Sequence, residues 1–146
     1  MEIREANLAE LELLAPLFDQ YRQFYQQQAD LERARAFLRE RMERRESTVY
    51  LALLDASAVG FVQLYPSFSS TSMQRLWILN DLFVAPAARR SGVGKALMER
   101  ARQLALDTGA KGLALSTQVE NTSAQRLYET LGYMKDVAFY SYFLKT

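Results

Sequence analysis

Residues 84 to 101 read "VAPAARRSGVGKALMERA", with Arg89 and Arg90 set just before two closely spaced glycines, Gly92 and Gly94, and a helical pattern of apolar residues behind them. Glycine allows torsions and close backbone approaches that a Cβ forbids, and the first amides of a helix have no partner within it. The amides of residues 90 to 95 are therefore expected to form a cradle for an anion, reinforced by the helix dipole and the two arginines. Two other glycine motifs are excluded. A Walker A loop needs glycine where Arg89 stands and Ser or Thr where Ala96 stands, and a dinucleotide fingerprint needs a third glycine where Leu97 stands.

The rest of the chain narrows the chemistry. There is no cysteine and no histidine, which removes disulfides, Cys/His zinc sites, cysteine nucleophiles and the Ser-His-Asp relay. No metal site is expected. Carboxylates, tyrosines, lysines, hydroxyls and backbone groups must do the work. Eighteen basic residues against seventeen acidic ones give a net charge of +1, so no overall field draws the protein to nucleic acid or to an anionic membrane. No apolar run approaches the roughly 20 residues of a membrane span, and the acidic start "MEIREANLAELELL" does not resemble a signal peptide, so a cytoplasmic protein is expected.

The elements that must position the loop follow from periodicity and turn chemistry. With 146 residues, 49% of them hydrophobic, one domain spanning residues 1–146 is expected. A short strand at "EIRE" precedes a first helix with Asn7 as N-cap and Glu10 three residues on, and Asp30 caps a charged second helix. "TVYLALL" and "AVGFVQLY" read as an antiparallel hairpin turned at "DASA", "PSFSSTSMQ" as a polar loop, and "RLWILNDLFV" as a long strand ended by Pro86. The helix behind the glycines should bury Val93, Leu97, Ala101 and Leu104 and stop at Gly109. "KGLALSTQ" reads as a strand, "NTSAQRLYETLG" as a helix capped by Asn121 or Thr122, and "YMKDVAFYSYFLK" as a last strand. The order β-α-α-β-β-β-α-β-α-β describes a mixed α/β domain.

The spacing Arg89-x-x-Gly92-x-Gly94, the preceding Val84-Ala85-Pro86 and the downstream N-x-x-A-x-x-L-Y-x-x-x-G-Y of residues 121 to 133 together resemble the GNAT superfamily of N-acetyltransferases. The resemblance covers about residues 75 to 134. It implies a mostly antiparallel central sheet of six or seven strands flanked by about four helices. It implies acetyl-CoA as co-substrate, with the backbone of Leu82, Phe83 and Val84 bonding the acetyl and pantetheine groups. The amides of Arg90, Ser91, Gly92, Val93, Gly94 and Lys95 would hold the pyrophosphate beside Arg89, and Asn121 and Ala124 would meet the arm. A backbone N–H near Leu82 would stabilise the oxyanion.

By the same resemblance Tyr128 gives a proton to the departing thiolate. A free thiol has a pKa of about 8.5, so that proton contributes about 10²-fold. Some polyamine acetyltransferases of the family carry a Glu-Asp pair where this chain has Asn80-Asp81. Asn80 cannot act as a base and would orient water or substrate. Strand alternation puts Asp81 on the opposite face from it, unless a bulge intervenes. Asp81 is the base candidate, and bracing of the loop is its equal structural reading.

The acceptor is expected to be a small amine, cationic like a polyamine or diamine, or an amino acid, attacking directly in a ternary complex; the missing cysteine excludes an acetyl-cysteine route. Asp19, Tyr21, Tyr25, Glu120 and the loop from Pro66 to Gln74 are the candidate acceptor contacts, an acidic lining. A peptide acceptor and a non-catalytic acetyl-CoA sensor are the alternatives. "VAFYSYFL" is apolar enough for a homodimer interface or for an ordinary core strand.

Overall fold

The computed structural model describes residues 1–146, in two compact units, Met1–Leu115 and Ser116–Thr146. The first holds strand β1 (Glu2–Ala6), helices α1 (Leu11–Phe24) and α2 (Leu31–Glu43), strands β2 (Thr48–Leu54), β3 (Ser57–Ser69) and β4 (Gln74–Val84), helix α3 (Val93–Asp107) and strand β5 (Leu113–Ala114). The second holds α4 (Thr122–Thr130). One sheet runs in the order β1-β2-β3-β4-β5, antiparallel except for the β4–β5 pair.

The start signals act where the sequence places them. Asn7 and Glu10 form a reciprocal capping box ahead of α1, and the Asp30 carboxylate accepts from the Arg33 N–H. The β2–β3 turn puts Asp55 and Ala56 at positive φ, the geometry that suits a right-twisted hairpin. Leu11, Leu14, Ala15, Leu17 and Phe18 of α1 pack with Ala34 and Leu38 of α2 against Val49, Leu51, Phe61 and Phe83 of the sheet. The opposite face takes α3, whose Arg100 guanidinium lies 4.2 Å from the Tyr50 ring centroid. Gly60 lies under α3: a Cβ there would meet the Phe83 carbonyl oxygen at 2.9 Å and Val93 Cγ1 at 3.1 Å.

Four expectations change. The loop expected over 66–74 shrinks to a turn at residues 70–73, because β3 continues to Ser69 and Pro66 pairs with Trp77. Pairing with β2 ends at Leu64, so the missing proline donor faces an edge with no strand. The buried stripe of α3 ends in Ala105, with Leu104 half-buried. The strand at "KGLALSTQ" shrinks to Leu113–Ala114. The sheet has five strands, not six or seven, because residues 134 to 146 join no ladder. Their unit contains no strand to pair with, and aromatic composition makes a strand only against a partner. Phe139, Tyr140, Tyr142, Phe143 and Leu144 stand 81–93% exposed.

Candidate active site

The glycine loop leaves β4 through a short 3-10 turn, Pro86–Ala88, and enters α3 at Gly92, the N-cap, with φ of +83°. A Cβ at Gly92 would find open space, so the glycine serves the torsion and the bareness of the backbone. After Arg89, whose N–H reaches the Pro86 carbonyl at 3.4 Å, the next amide to reach a backbone carbonyl is that of Ala96, on Gly92 at 3.0 Å. The amides of residues 90 to 95 donate to no protein acceptor, the arrangement that binds anions at helix N-termini. The Arg89 side chain turns back instead: Nε donates to the Val84 carbonyl at 3.0 Å, and the guanidinium sits 5.8 Å from the Phe24 and Phe83 ring centroids. Arg89 braces the exit of β4. Ser91 Oγ likewise closes on the Ala88 carbonyl.

Inside β4 the register with β3 shifts: Gln63 pairs with Asp81, but Leu64 pairs with Leu79. Asn80 is the extra residue of a bulge, which turns neighbouring side chains to one side. Phe83 joins the core under α1, whereas Trp77 donates through Nε1 to Thr108 at the end of α3. Six residues apart on a regular strand, the two would share a face. The bulge separates them, and Asn80 and Asp81 line the same cavity. Beyond the bulge, β4 has no strand partner on its second edge, since β5 pairs only with Trp77 and Ile78.

Asp81 is 5% exposed. Gln63 Nε2 donates to its Oδ2 at 2.7 Å, Asn80 Nδ2 to its Oδ1 at 3.1 Å, and the Tyr21 side chain also hydrogen bonds to it. Burial raises the carboxyl above its ordinary 3.8, and the hydrogen bonds from Gln63, Tyr21 and Asn80 pull it part of the way back. The balance favours a carboxylate that takes up a proton more readily than an exposed aspartate. Tyr65 is pushed up to about 12, first by burial and then by the Asp81 charge, and so stays neutral.

The cavity measures about 350 Å³. Its walls include Phe18, Tyr21 and Arg22 of α1, Arg33 and Phe37 of α2, and Tyr65, Asn80 and Asp81 of the sheet. Of the expected acceptor contacts, Tyr21 is among them. Asp19, Tyr25 and the segment 66–74 are not, and the acidic lining is replaced by one carboxylate and two guanidinium groups. Asp19 is taken up in structure: it accepts from Arg22 Nη1 at 2.8 Å and from the Asp30 N–H at 3.1 Å, tying α1 to the start of α2. Gln63, Tyr65, Arg22 and Arg33 are additions that the sequence reading lacks; a glutamine inside the apolar "AVGFVQLY" was the available signal.

In the second unit, Asn121 Oδ1 caps α4 by accepting from the Ala124 N–H at 3.2 Å. Ala124, Leu127, Tyr128 and Leu131 form the half-buried stripe expected of them. The Tyr128 ring lies 5.9 Å from that of Tyr133, and the Tyr133 N–H donates to the Tyr128 carbonyl where Gly132, at φ of +94°, turns the chain. Glu120 precedes the cap.

A mixed sheet with a bulged β4, an amide-lined loop before α3 and a buried carboxylate lining a cavity make an α/β domain suited to an anionic cofactor and a second small molecule. The model of the Acetyltransferase (GNAT) family matches residues 11–133, and the chain belongs to that family. It is 48% identical over 144 residues to the uncharacterized N-acetyltransferase YhfO of Bacillus subtilis (strain 168), covering 99% of this chain and 97% of the relative. The crystal structure of a probable acetyltransferase superposes with a TM-score of 0.94 at 47% identity, over 100% of this chain and 98% of the other. An aminoglycoside N-acetyltransferase, AAC(6')-Iy, in complex with CoA shares the fold, with a TM-score of 0.82 at 23% identity over 99% and 95% of the two chains. This chain is thus an N-acetyltransferase, and acetyl-CoA is its acetyl donor. The unpaired amides of residues 90 to 95, the bare backbone at Gly92 and the unpartnered edge of β4 beyond the bulge fit that donor.

Proposed function

We propose that residues 1–146 act as a single N-acetyltransferase domain that acetylates the primary amine of a small molecule held in the Asp81 cavity, by direct attack in a ternary complex. The observation that carries this reading is the bulge, which turns Asn80 and Asp81 together into the cavity. The family match runs across both compact units. No helix is long and apolar enough to cross a membrane, and a cytoplasmic location gives access to acetyl-CoA. The exposed apolar residues 137 to 144 suit a homodimer interface.

When bound, acetyl-CoA supplies an acetyl thioester. The amides of residues 90 to 95 bind the pyrophosphate, and the free edge at Leu82, Phe83 and Val84 aligns the arm, with Asn121 and Ala124 beside it. Asp81 accepts the proton that an ammonium must lose before its nitrogen attacks. Asn80, donating to Asp81, fixes the carboxylate and orients the amine or a bridging water. A backbone N–H near Leu82 faces the developing oxyanion. Tyr128 holds a proton for the sulfur as the C–S bond breaks.

The test is to titrate the protein with acetyl-CoA and then follow free thiol across diamines, polyamines, amino acids, aminoglycosides and peptide N-termini. Acetyl-CoA binding with thiol release that needs an amine supports the proposal. Binding with no release for any amine overturns it in favour of a sensor.

A further inference from the structure

The charges in the cavity are unequal. Asp81 is its only carboxylate, and Arg22 and Arg33 stand on the helical walls. Arg22 is occupied: Nη1 donates to Asp19 at 2.8 Å and to the Gln28 carbonyl at 3.0 Å. The Arg33 backbone is fixed by the Asp30 cap at 3.1 Å; its side chain is exposed at the cavity wall, and its guanidinium makes no protein hydrogen bond or ion pair, unlike those of Arg22, Arg35, Arg41 and Arg44. Asn80 and the aromatic rings of the lining supply no further negative charge. A diamine would therefore set its second ammonium against the Arg33 guanidinium after its first had taken the only carboxylate of the lining. An anion in that place meets a planar donor fork with no partner, which matches carboxylate and phosphate oxygens. The volume of about 350 Å³ lies at the small end of ligand pockets, which suits a compact molecule.

We infer that the acceptor is a small primary amine carrying an anionic group, carboxylate or phosphate, with its nitrogen at Asp81 and its anion on Arg33. This rests on the reading of the cavity as the acceptor site. Hydrogen bonding and attraction at Arg33 supply recognition, and Asp81 supplies the chemistry at the far end.

Matched probes test it: β-alanine, its neutral amide, diaminopropane and phosphoethanolamine. Each is titrated by calorimetry into the protein loaded with CoA and, separately, run as acceptor with acetyl-CoA. The anionic amines should bind at least about tenfold more tightly than the amide and the diamine, a difference of one charge-assisted contact. The better of β-alanine and phosphoethanolamine identifies the anion. Arg33→Ala should remove the preference, raising Kd and KM for the anionic amines about tenfold with kcat changed less than about twofold, and Arg33→Lys should restore part of it. Equal or tighter binding of the amide or diamine overturns the inference, and so does a preference that survives in Arg33→Ala. An anion preference in binding with no transfer to any probe contradicts the acetyl-transfer reading and supports the recognition at Arg33.

Discussion

Gln63 donates to Asp81 through Nε2 at 2.7 Å while its own carbonyl oxygen, equally buried, has no partner. An amide turned over would offer that oxygen to a protonated Asp81, so one side chain serves the carboxylate and the carboxylic acid alike. On the proposed function, Gln63 is a positioning residue for the proton that Asp81 takes up and gives back.

Replacing Gln63 by Met keeps the volume and removes the donor. Gln63 lowers the raised Asp81 pKa, so its loss lets the pKa climb further and leaves less carboxylate at a given pH. We expect kcat/KM on the acid limb of the pH profile to fall about tenfold and to recover at higher pH. A pH–rate profile with the acid limb displaced upward is the signature, and a uniform loss at every pH would assign Gln63 a packing role.

The same pKa carries a stability consequence. The folded-state value lies above the ordinary 3.8, so the folded protein holds the proton more tightly than the unfolded chain. Stability from this site is present below 3.8 and is lost as pH rises through the folded value. Asp81→Asn, with Gln63 free to turn its oxygen to the new amide, should therefore melt at least a few degrees higher than wild type near pH 8, with the gap closing near pH 3.5. Thermal melts at the two pH values check the sign.

How much of this was legible in the sequence depends on what each feature requires. Asn7, Asp30 and Asn121 act as caps because capping is local, and the loop at Gly92 follows from torsion and helix ends alone. The bulge at Asn80 arises from the register between two strands, which alternation within one strand does not contain. The charges of the cavity are not legible in the sequence for a related reason. Asp19 reads as an available acid on its helix, but a contact to Asp30, eleven residues on, occupies it. Arg33 reads as one more residue of a charged helix; it is exposed, and what the sequence does not carry is that it also borders the cavity. The tail from Met134 has strand composition, and composition alone does not provide a neighbour.

Gly92→Glu tests the cradle. Its φ of +83° strains any L side chain, and a carboxylate at that position repels a pyrophosphate. Affinity for acetyl-CoA should drop by at least about tenfold in calorimetry. An unchanged Kd would remove the loop from donor binding.

Tyr128→Phe tests the proposed proton donation while keeping the half-buried ring. We expect kcat to fall about 10²-fold when chemistry limits the rate, with acetyl-CoA affinity kept within about twofold. An unchanged kcat would leave Tyr128 as part of the α4 stripe.

Whether Asp81 takes the proton of the attacking amine is decided by kcat/KM for acetyl transfer against pH, followed as free thiol, in wild type and Asp81→Asn. Wild type should lose activity as pH falls through a limb above the ordinary carboxylate range. Asp81→Asn should be slower by about 10²-fold or more near neutrality, lack that limb and still bind acetyl-CoA normally. A variant that keeps both the limb and the wild-type rate would remove Asp81 from the proton-accepting role.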